Sequence, residues 1–122
     1  GKKILLIDDE LAFLEIMASR IESWGYQVIT ASGASEALKV CEENKPDALV
    51  VDFKMPEMDG VQLLMKIRAK DSKIPVIMFT AQPKPETMED AETLNISAFV
   101  PKLSPYVDTQ AALRSALNMV LK

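Results

Sequence analysis

Apolar and polar positions alternate between two patterns along the chain. Unbroken apolar runs at residues 4–7, 48–51 and 76–79 have the length and β-branched content of strands buried on both faces. Shorter strands are predicted at residues 27–30 and 97–100. Between the strands, apolar residues recur at every third or fourth position, which is typical of amphipathic helices. The pattern therefore predicts five strands, each followed by a helix.

Turn residues mark the ends of the predicted helices. Gly25 is a natural stop for the first helix. Asp59 and Ser104 are expected N-caps of the third and fifth helices, and Pro105 suits a first helical position. A proline-rich stretch at residues 82–85 leads into an acidic fourth helix. The predicted apolar stripes are Leu14, Met17, Ala18 and Ile21; Ala34, Ala37, Leu38 and Cys41; Leu63, Leu64 and Ile67; and Leu113, Ala116, Leu117 and Val120.

Five strands that alternate with helices imply a parallel sheet covered on both faces, that is, a doubly wound α/β fold. In such folds, ligands bind beyond the carboxyl ends of the strands. That rule brings five polar residues to one edge of the sheet. They are Asp8, Asp9, Asp52, Thr80 and Lys102.

The composition indicates one domain that spans residues 1–122, with 48% hydrophobic and 26% charged residues. No apolar stretch approaches the ~20 residues that span a bilayer, and the first residues do not have a signal-peptide pattern. The single cysteine, Cys41, cannot form an internal disulfide, so we expect a cytoplasmic protein that does not contact membranes. The net charge of −4 argues against direct binding of nucleic acid.

The carboxylates of Asp8, Asp9 and Asp52 are the main candidates for chemistry. The chain has no histidine, which excludes histidine-based acid–base catalysis and the usual transition-metal sites. Like charges at one sheet edge repel each other unless a cation lies between them. Hard oxygen ligands suit Mg²⁺, which also binds phosphates. The alternative for Asp8 and Asp9 is a role as helix caps.

Four landmarks occur in order at the ends of these elements. They are Ile-Asp-Asp-Glu at residues 7–10, Val-Asp-Phe-Lys-Met-Pro-Glu-Met-Asp-Gly at residues 51–60, Phe-Thr-Ala at residues 79–81, and Lys102. With these landmarks, nearly the whole chain resembles the receiver domain of two-component response regulators, which are CheY-like proteins. The resemblance implies a flavodoxin-like fold with strand order 2-1-3-4-5.

The resemblance also implies a phosphorylation switch centred on Asp52. This residue matches the phosphoacceptor aspartate, which takes a phosphoryl group from a phosphohistidine. Asp9, Asp52 and the backbone carbonyl of Lys54 match the Mg²⁺ ligands, and Asp8 would act through water. Lys102 would pair with a phosphoryl oxygen.

Further residues match the family positions that sense or tune the modification. The Thr80 hydroxyl would donate a hydrogen bond to a second phosphoryl oxygen. Phe99 matches the aromatic switch position, although it could equally be an ordinary core residue. Lys54 and Gln82 match positions that tune the lifetime of the acyl phosphate. One departure concerns Lys102, which is followed by Leu103 where receiver domains usually have a proline, often in a cis peptide.

The implied partners are a sensor histidine kinase or phosphotransfer protein and a downstream effector or output domain. The domain would be a monomer or weak homodimer, with no enzymatic role beyond self-phosphorylation and weak autophosphatase activity.

Three other functions compete with a receiver domain. A Mg²⁺-dependent phosphohydrolase with aspartyl-phosphate chemistry usually has a second Asp at the position of Lys54. A flavodoxin-like cofactor binder needs a phosphate-cradling loop after the first strand, where the acids at residues 8–10 would repel phosphate. A receiver-like binding module that is never phosphorylated would not need the intact set of landmarks.

Overall fold

A computed structural model describes residues 1–53, 60–81, 84–102 and 107–121. Its elements, in chain order, are β1 (Lys3–Ile7), α1 (Leu11–Ser23), β2 (Gln27–Ala31), α2 (Ala34–Asn44), β3 (Ala48–Val51), α3 (Gly60–Lys70), β4 (Val76–Thr80), α4 (Pro85–Thr93), β5 (Ala98–Pro101) and α5 (Val107–Val120). The strands form one parallel sheet in the order β2-β1-β3-β4-β5. The predicted fold and strand order are confirmed.

The sheet is buried on both faces. Successive side chains of its central strands point to opposite sides, so each strand contributes apolar residues to both faces. Leu5 and Leu49 belong to a cluster with apolar residues of α2, α3 and α4. Leu6 and Val50 belong to a second cluster, with apolar residues of α1 and α5. Helices therefore cover both faces, as expected for a doubly wound fold, and only the ends of the strands are open to ligands.

The strand and helix boundaries lie close to the predicted ones. The run at residues 48–51 is β3 without change, whereas β4 extends one residue further than predicted, to Thr80. The first helix ends before Gly25, whose φ of +98° is the left-handed conformation that glycine adopts without strain. The expected caps Asp59 and Ser104 lie outside the described residues.

Arg68 on α3 binds two separate parts of the backbone. Its guanidinium donates hydrogen bonds to the carbonyl oxygens of Leu94 at 2.8 Å and Asn95 at 2.9 Å, which follow α4. It also donates to the carbonyl of Ile74, just before β4, at 2.7 Å. These bonds satisfy carbonyls at the end of α4, where no further helical turn supplies donors. They tie the end of α4 to α3.

No helix among the residues described has the length and apolar character required to cross a bilayer.

Candidate functional site

Asp52 lies at the end of the middle strand of the sheet. Its predecessor Val51 is paired with Ile7 on β1 and with Met78 on β4. The backbone N–H of Asp52 continues this ladder by donating to the carbonyl of Ile7 at 2.9 Å. The residue is only 5% exposed. The Asp52 carboxylate is thus held at the carboxyl end of the central strand with little freedom to move.

The chain next to Asp52 is anchored by a close approach of two backbones. The N–H of Gly60, at the start of α3, donates to the carbonyl of Phe53 at 2.9 Å. A Cβ atom at Gly60 would lie only 2.5 Å from the Cα of Phe53. Glycine is required here because no larger residue allows this contact.

Asp8 occupies the corresponding position after β1. Its N–H donates to the carbonyl of Ala31 at 3.1 Å, and its Oδ1 accepts a hydrogen bond from the N–H of Glu10 at 2.9 Å. Asp8 is buried, whereas Asp9 and Glu10 are exposed. The turn after β1 therefore fixes the Asp8 carboxylate in the interior of the site.

Three carboxylates gather at this edge. One oxygen from each of Asp8, Glu10 and Asp52 lies within 4.8 Å of the other two. Asp9 is not a member of this group, although the resemblance implied that Asp9 binds Mg²⁺ together with Asp52. The turn after β1, closed by the hydrogen bond from the N–H of Glu10 to Asp8 Oδ1, leaves Glu10 rather than Asp9 beside Asp8. The structure thus brings Asp8 and Asp52 together and adds Glu10.

Lys102 places its ammonium group between the three carboxylates. The Nζ atom lies 2.7 Å from Asp8 Oδ2, 2.7 Å from Glu10 Oε1 and 3.3 Å from Asp52 Oδ2. Its side chain is 8% exposed. The backbone N–H of Lys102 donates to the carbonyl of Thr80 at 3.0 Å, which fixes where the side chain starts. The lysine therefore compensates the negative charge of the site.

Thr80 contacts Asp52 from the neighbouring strand. Its hydroxyl donates a hydrogen bond to Asp52 Oδ1 at 3.0 Å, and the residue is 2% exposed. Phe99 is half-buried on β5 and is paired with Met78, two residues before Thr80 on β4. Alternation along the strands places Phe99 on the same face of the sheet as Thr80.

An aromatic side chain completes the surroundings of the ammonium. Lys102 Nζ lies 4.4 Å from the centre of the Phe13 ring on α1. That ring packs in turn against the ring of Phe79, with a distance of 5.7 Å between the centroids.

Compared with models of protein families, residues 4–118 match the response regulator receiver domain. The chain belongs to the response regulator receiver family. Receiver domains of two-component systems are signalling modules that act as phosphorylation-dependent switches, and they generally bind Mg²⁺ at an acidic pocket. The cluster of Asp8, Glu10 and Asp52 is an acidic site compatible with Mg²⁺.

Curated relatives of this receiver domain are transcriptional regulators. The chain is 41% identical over 82 residues to the alkaline phosphatase synthesis transcriptional regulatory protein PhoP of Bacillus subtilis, covering 67% of the chain and 34% of the relative. It is 37% identical over 119 residues to the probable transcriptional regulator ycf27 of Pyropia yezoensis, covering 96% and 48%. The chain thus spans about a third to a half of the length of these relatives.

Solved structures share the whole fold of this receiver domain. The non-phosphorylated HemR receiver domain from Leptospira biflexa has a TM-score of 0.88 at 27% identity, covering 100% of this chain and 95% of that one. A response regulator receiver domain from Clostridium thermocellum has a TM-score of 0.83 at 29% identity, covering 98% and 96%. The chemotaxis protein CheY4 of Vibrio cholerae, at 24% identity, has a TM-score of 0.88, covers 98% of both chains and supports the fold alone.

Burial and charge act against each other in the receiver site. Burial raises the pKa of Asp8, although Lys102 and the N–H of Glu10 favour its charged form. Burial opposes the charge on Lys102, but the contacts with Asp8, Glu10 and Asp52 outweigh it and raise the pKa of the ammonium. The site therefore retains its cation at neutral pH.

The residues fit Mg²⁺ by the chemistry of their donors. The clustered groups offer carboxylate oxygens, which are the hard ligands that Mg²⁺ prefers, and two of the three carboxylates are buried. The short contacts of Lys102 show that these oxygens already attract a positive charge. A divalent ion meets the same requirement.

Some predicted site residues cannot be placed. Lys54, Gln82 and the peptide bond to Leu103 lie outside the described residues. Two contacts of Lys102 were missed at the sequence level. Glu10 was missed because the turn after β1 decides which acid lies beside Asp8, and spacing alone does not specify that turn. Phe13 was missed because an apolar residue in a helix is ordinarily assigned to the core.

Proposed function

We propose that this receiver domain accepts a phosphoryl group on Asp52 from the phosphohistidine of a sensor kinase or phosphotransfer protein. A carboxylate oxygen of Asp52 forms the bond to phosphorus while the bond from phosphorus to the imidazole nitrogen breaks. The nitrogen keeps the electron pair and is reprotonated from solvent. The product is an acyl phosphate, as in enzymes that use aspartate as a nucleophile.

The arrangement of donors around Asp52 carries this proposal. Thr80 binds Oδ1 and Lys102 contacts Oδ2, so each oxygen is approached from a different element of the fold. The three groups meet at the end of the sheet, where ligands bind in doubly wound folds. Preorganised hydrogen-bond donors and cations around a group that is being transferred stabilise the charge that develops on it.

After transfer, the same donors would serve the phosphoryl oxygens. We infer that the Lys102 ammonium forms an ion pair with one phosphoryl oxygen and that the Thr80 hydroxyl moves to donate a hydrogen bond to another. Phe99, on the same face of the sheet as Thr80, would change its rotamer in response. The modification would select between two existing conformations, since a ligand can only shift an equilibrium by its difference in affinity.

Asp9, Asp52 and the backbone carbonyl of Lys54 are the proposed Mg²⁺ ligands, with Asp8 acting through water. When bound, the ion offsets negative charge on the transferring oxygens. Glu10, which the sequence analysis did not include, adds a third carboxylate next to Asp8 and Asp52.

We propose that Lys54 and Gln82 set the lifetime of the acyl phosphate. Their side chains would flank the path along which water attacks the phosphoryl group. Slow hydrolysis by this route is the weak autophosphatase activity. Measuring the decay of the phosphorylated Lys54→Ala and Gln82→Ala proteins tests both roles. Unchanged decay in the two variants would remove them.

The proposed partners are a histidine kinase or phosphotransfer protein on the Asp52 side and an effector or output domain. The transcriptional role of the relatives supports an output that acts on gene expression. The receiver itself has a net charge of −4, so we assign contacts with DNA to an output domain. It would act as a monomer or weak homodimer.

Incubation with acetyl phosphate and Mg²⁺ tests the central proposal. Intact-mass spectrometry should show the addition of one phosphoryl group, which alkaline hydroxylamine removes. Asp52→Asn should abolish the addition because the amide is not a nucleophile. Asp90→Asn is the matched control, since Asp90 is an exposed aspartate on α4 and should leave labelling unchanged.

Two results would contradict the proposal. The first is an unmodified wild-type protein under conditions in which its fold is intact. The second is equal labelling of the Asp52→Asn protein, which would move the acceptor to another residue.

A further inference from the structure

We propose that Phe13 is a positioning residue for phosphoryl transfer, whose ring holds the Lys102 ammonium beside Asp52 through a cation–π contact. The inference rests on the proposed function, because it assigns Lys102 a role on the phosphoryl group. It goes further in identifying an apolar helix residue, Phe13, as part of the machinery around Asp52.

The distance and burial of the pair support a functional contact. Lys102 Nζ lies 4.4 Å from the ring centre of Phe13, inside the ~6 Å over which an aromatic face attracts a cation. The lysine side chain is 8% exposed, so little water screens the attraction. Cation–π contacts are strongest in such desolvated surroundings.

The ring of Phe13 is itself fixed in place. Its centroid lies 5.7 Å from that of Phe79, and the two rings are tilted by 37°. Phe79 is 1% exposed, within the cluster formed with α1 and α5. Phe13 packs against this cluster, which restricts the ring to a narrow range of positions. The ammonium therefore lies against a rigid surface.

Phe13 and Glu10 act together at the start of α1. Glu10 is the N-cap residue that precedes α1, and Phe13 lies in the first turn of the helix. Glu10 Oε1 contacts Lys102 Nζ at 2.7 Å, and the Phe13 ring lies 4.4 Å away. The N-terminal end of α1 and the residue before it thus supply an aromatic and an acidic contact to the same ammonium.

The lysine needs this restraint because its side chain is long and flexible. Its shortest contacts, 2.7 Å to Asp8 and to Glu10, lie on the side of α1 and β1, and Asp52 is 3.3 Å away. The ring limits how far the ammonium can turn away from this group. Without it, the ammonium would spend less time where it can pair with a phosphoryl group on Asp52.

Variants at Phe13 separate the aromatic face from simple packing. Phe13→Met keeps an apolar side chain of similar size but removes the ring, and Phe13→Tyr keeps the ring. The matched control is Trp24→Leu, which removes the aromatic partner of Arg114, 5.8 Å away, at the other end of α1. This control tests whether loss of any cation–π contact in the domain has the same effect.

NMR spectroscopy of the Lys102 side chain tests the contact directly and needs no phosphorylation. The ring current of Phe13 should shift the ε-methylene protons of Lys102 upfield from those of exposed lysines. The shift should disappear in Phe13→Met and persist in Phe13→Tyr and Trp24→Leu. Unshifted protons in the wild-type protein would overturn the inference even if Phe13→Met failed to fold.

Rates of phosphorylation by acetyl phosphate test the functional half. Phe13→Met should lower the rate about fivefold, equivalent to ~1 kcal/mol, while Phe13→Tyr restores it. The Trp24→Leu protein should react at the wild-type rate. If wild type is phosphorylated and Phe13→Met reacts within twofold of it, this inference is wrong and the proposed function stands. If wild type is not phosphorylated, the proposed function fails instead, and with it the role of Phe13 in transfer.

Discussion

The Thr80 hydroxyl donates a hydrogen bond to Asp52 Oδ1 at 3.0 Å, and both residues are nearly inaccessible to water. The two strands that carry them are neighbours in the sheet, paired through Val51 and Met78. The residue proposed to sense the modification therefore already contacts the proposed acceptor before any phosphoryl group arrives. This contact should contribute to stability in the unmodified protein.

Replacing Thr80 by Val should lower the free energy of unfolding by ~1–2 kcal/mol. Valine has nearly the same shape but no hydroxyl, so a buried bond to a charged acceptor is lost. Urea unfolding in the presence of EDTA measures the change. Thr80→Ser keeps the donor and should recover part of the loss. A Thr80→Val protein as stable as the wild type would show that the hydroxyl adds nothing.

Replacing Lys102 by Met should destabilise the fold by about 2–3 kcal/mol at neutral pH, since buried Asp8 loses its counter-charge. The pKa of Lys102 is raised above its ordinary value of 10.5. Its contribution is therefore fully present below pH 10.5 and decreases as the pH rises through the higher pKa in the folded protein. The stability difference between wild type and variant should shrink above pH 10.5.

A surface lysine provides the control for Lys102. Lys70 lies 3.7 Å from Glu42, and both side chains are exposed. Lys70→Met should change stability by less than about 0.5 kcal/mol. A similar loss in both variants would mean that general charge, not the buried contact with Asp8, determines the effect.

Replacing Gly60 by Ala should destabilise the protein by ~3 kcal/mol or prevent folding. The new methyl group would lie 2.5 Å from the Cα of Phe53, and a backbone atom cannot turn aside. Thermal unfolding compared with Gly25→Ala measures the difference. At Gly25 nothing lies within 4 Å, and only the φ of +98° opposes a side chain, at ~1–2 kcal/mol. A smaller cost at Gly60 than at Gly25 would contradict the close approach.

Cys41 should react slowly with thiol reagents near neutral pH. The residue lines a cavity of about 360 Å³ between α2 and α3, and burial raises the pKa of its thiol, with a further contribution from Asp71. Only the thiolate reacts, so the rate should still be rising above pH 9.0, the ordinary value. The urea-unfolded protein is the control and should level off at lower pH. Identical profiles would rule out the shift.

The fold could be predicted because the strongest signals are local. The run at residues 48–51 has no polar interruption and became β3 with the same bounds. Strand β5 carries a weaker pattern, and its bounds shift by one residue, to Ala98–Pro101. Pairing with β4, which propensity does not report, decides where it lies.

The site was only partly predictable. The positions of Asp8, Asp52, Thr80 and Lys102 follow from the rule that ligand sites lie beyond strand ends, and the structure brings these four together. Which neighbour of Asp8 joins them depends on the direction of the turn after β1, and single-residue patterns do not specify that direction. The contact of the Phe13 ring could not be predicted because it depends on the position of the Lys102 ammonium, which is distant in sequence.

The bonds from Arg68 to the carbonyls of Leu94 and Asn95 leave α4 unequally restrained. Its last turn is fastened to α3, while its first residue, Pro85, has no N–H with which to bind a neighbour. A tilt of α4 breaks the fewest of these hydrogen bonds when the helix rotates about its C-terminal end. The greatest displacement then falls at the start of the helix, on the side of the molecule where Thr80 meets Asp52.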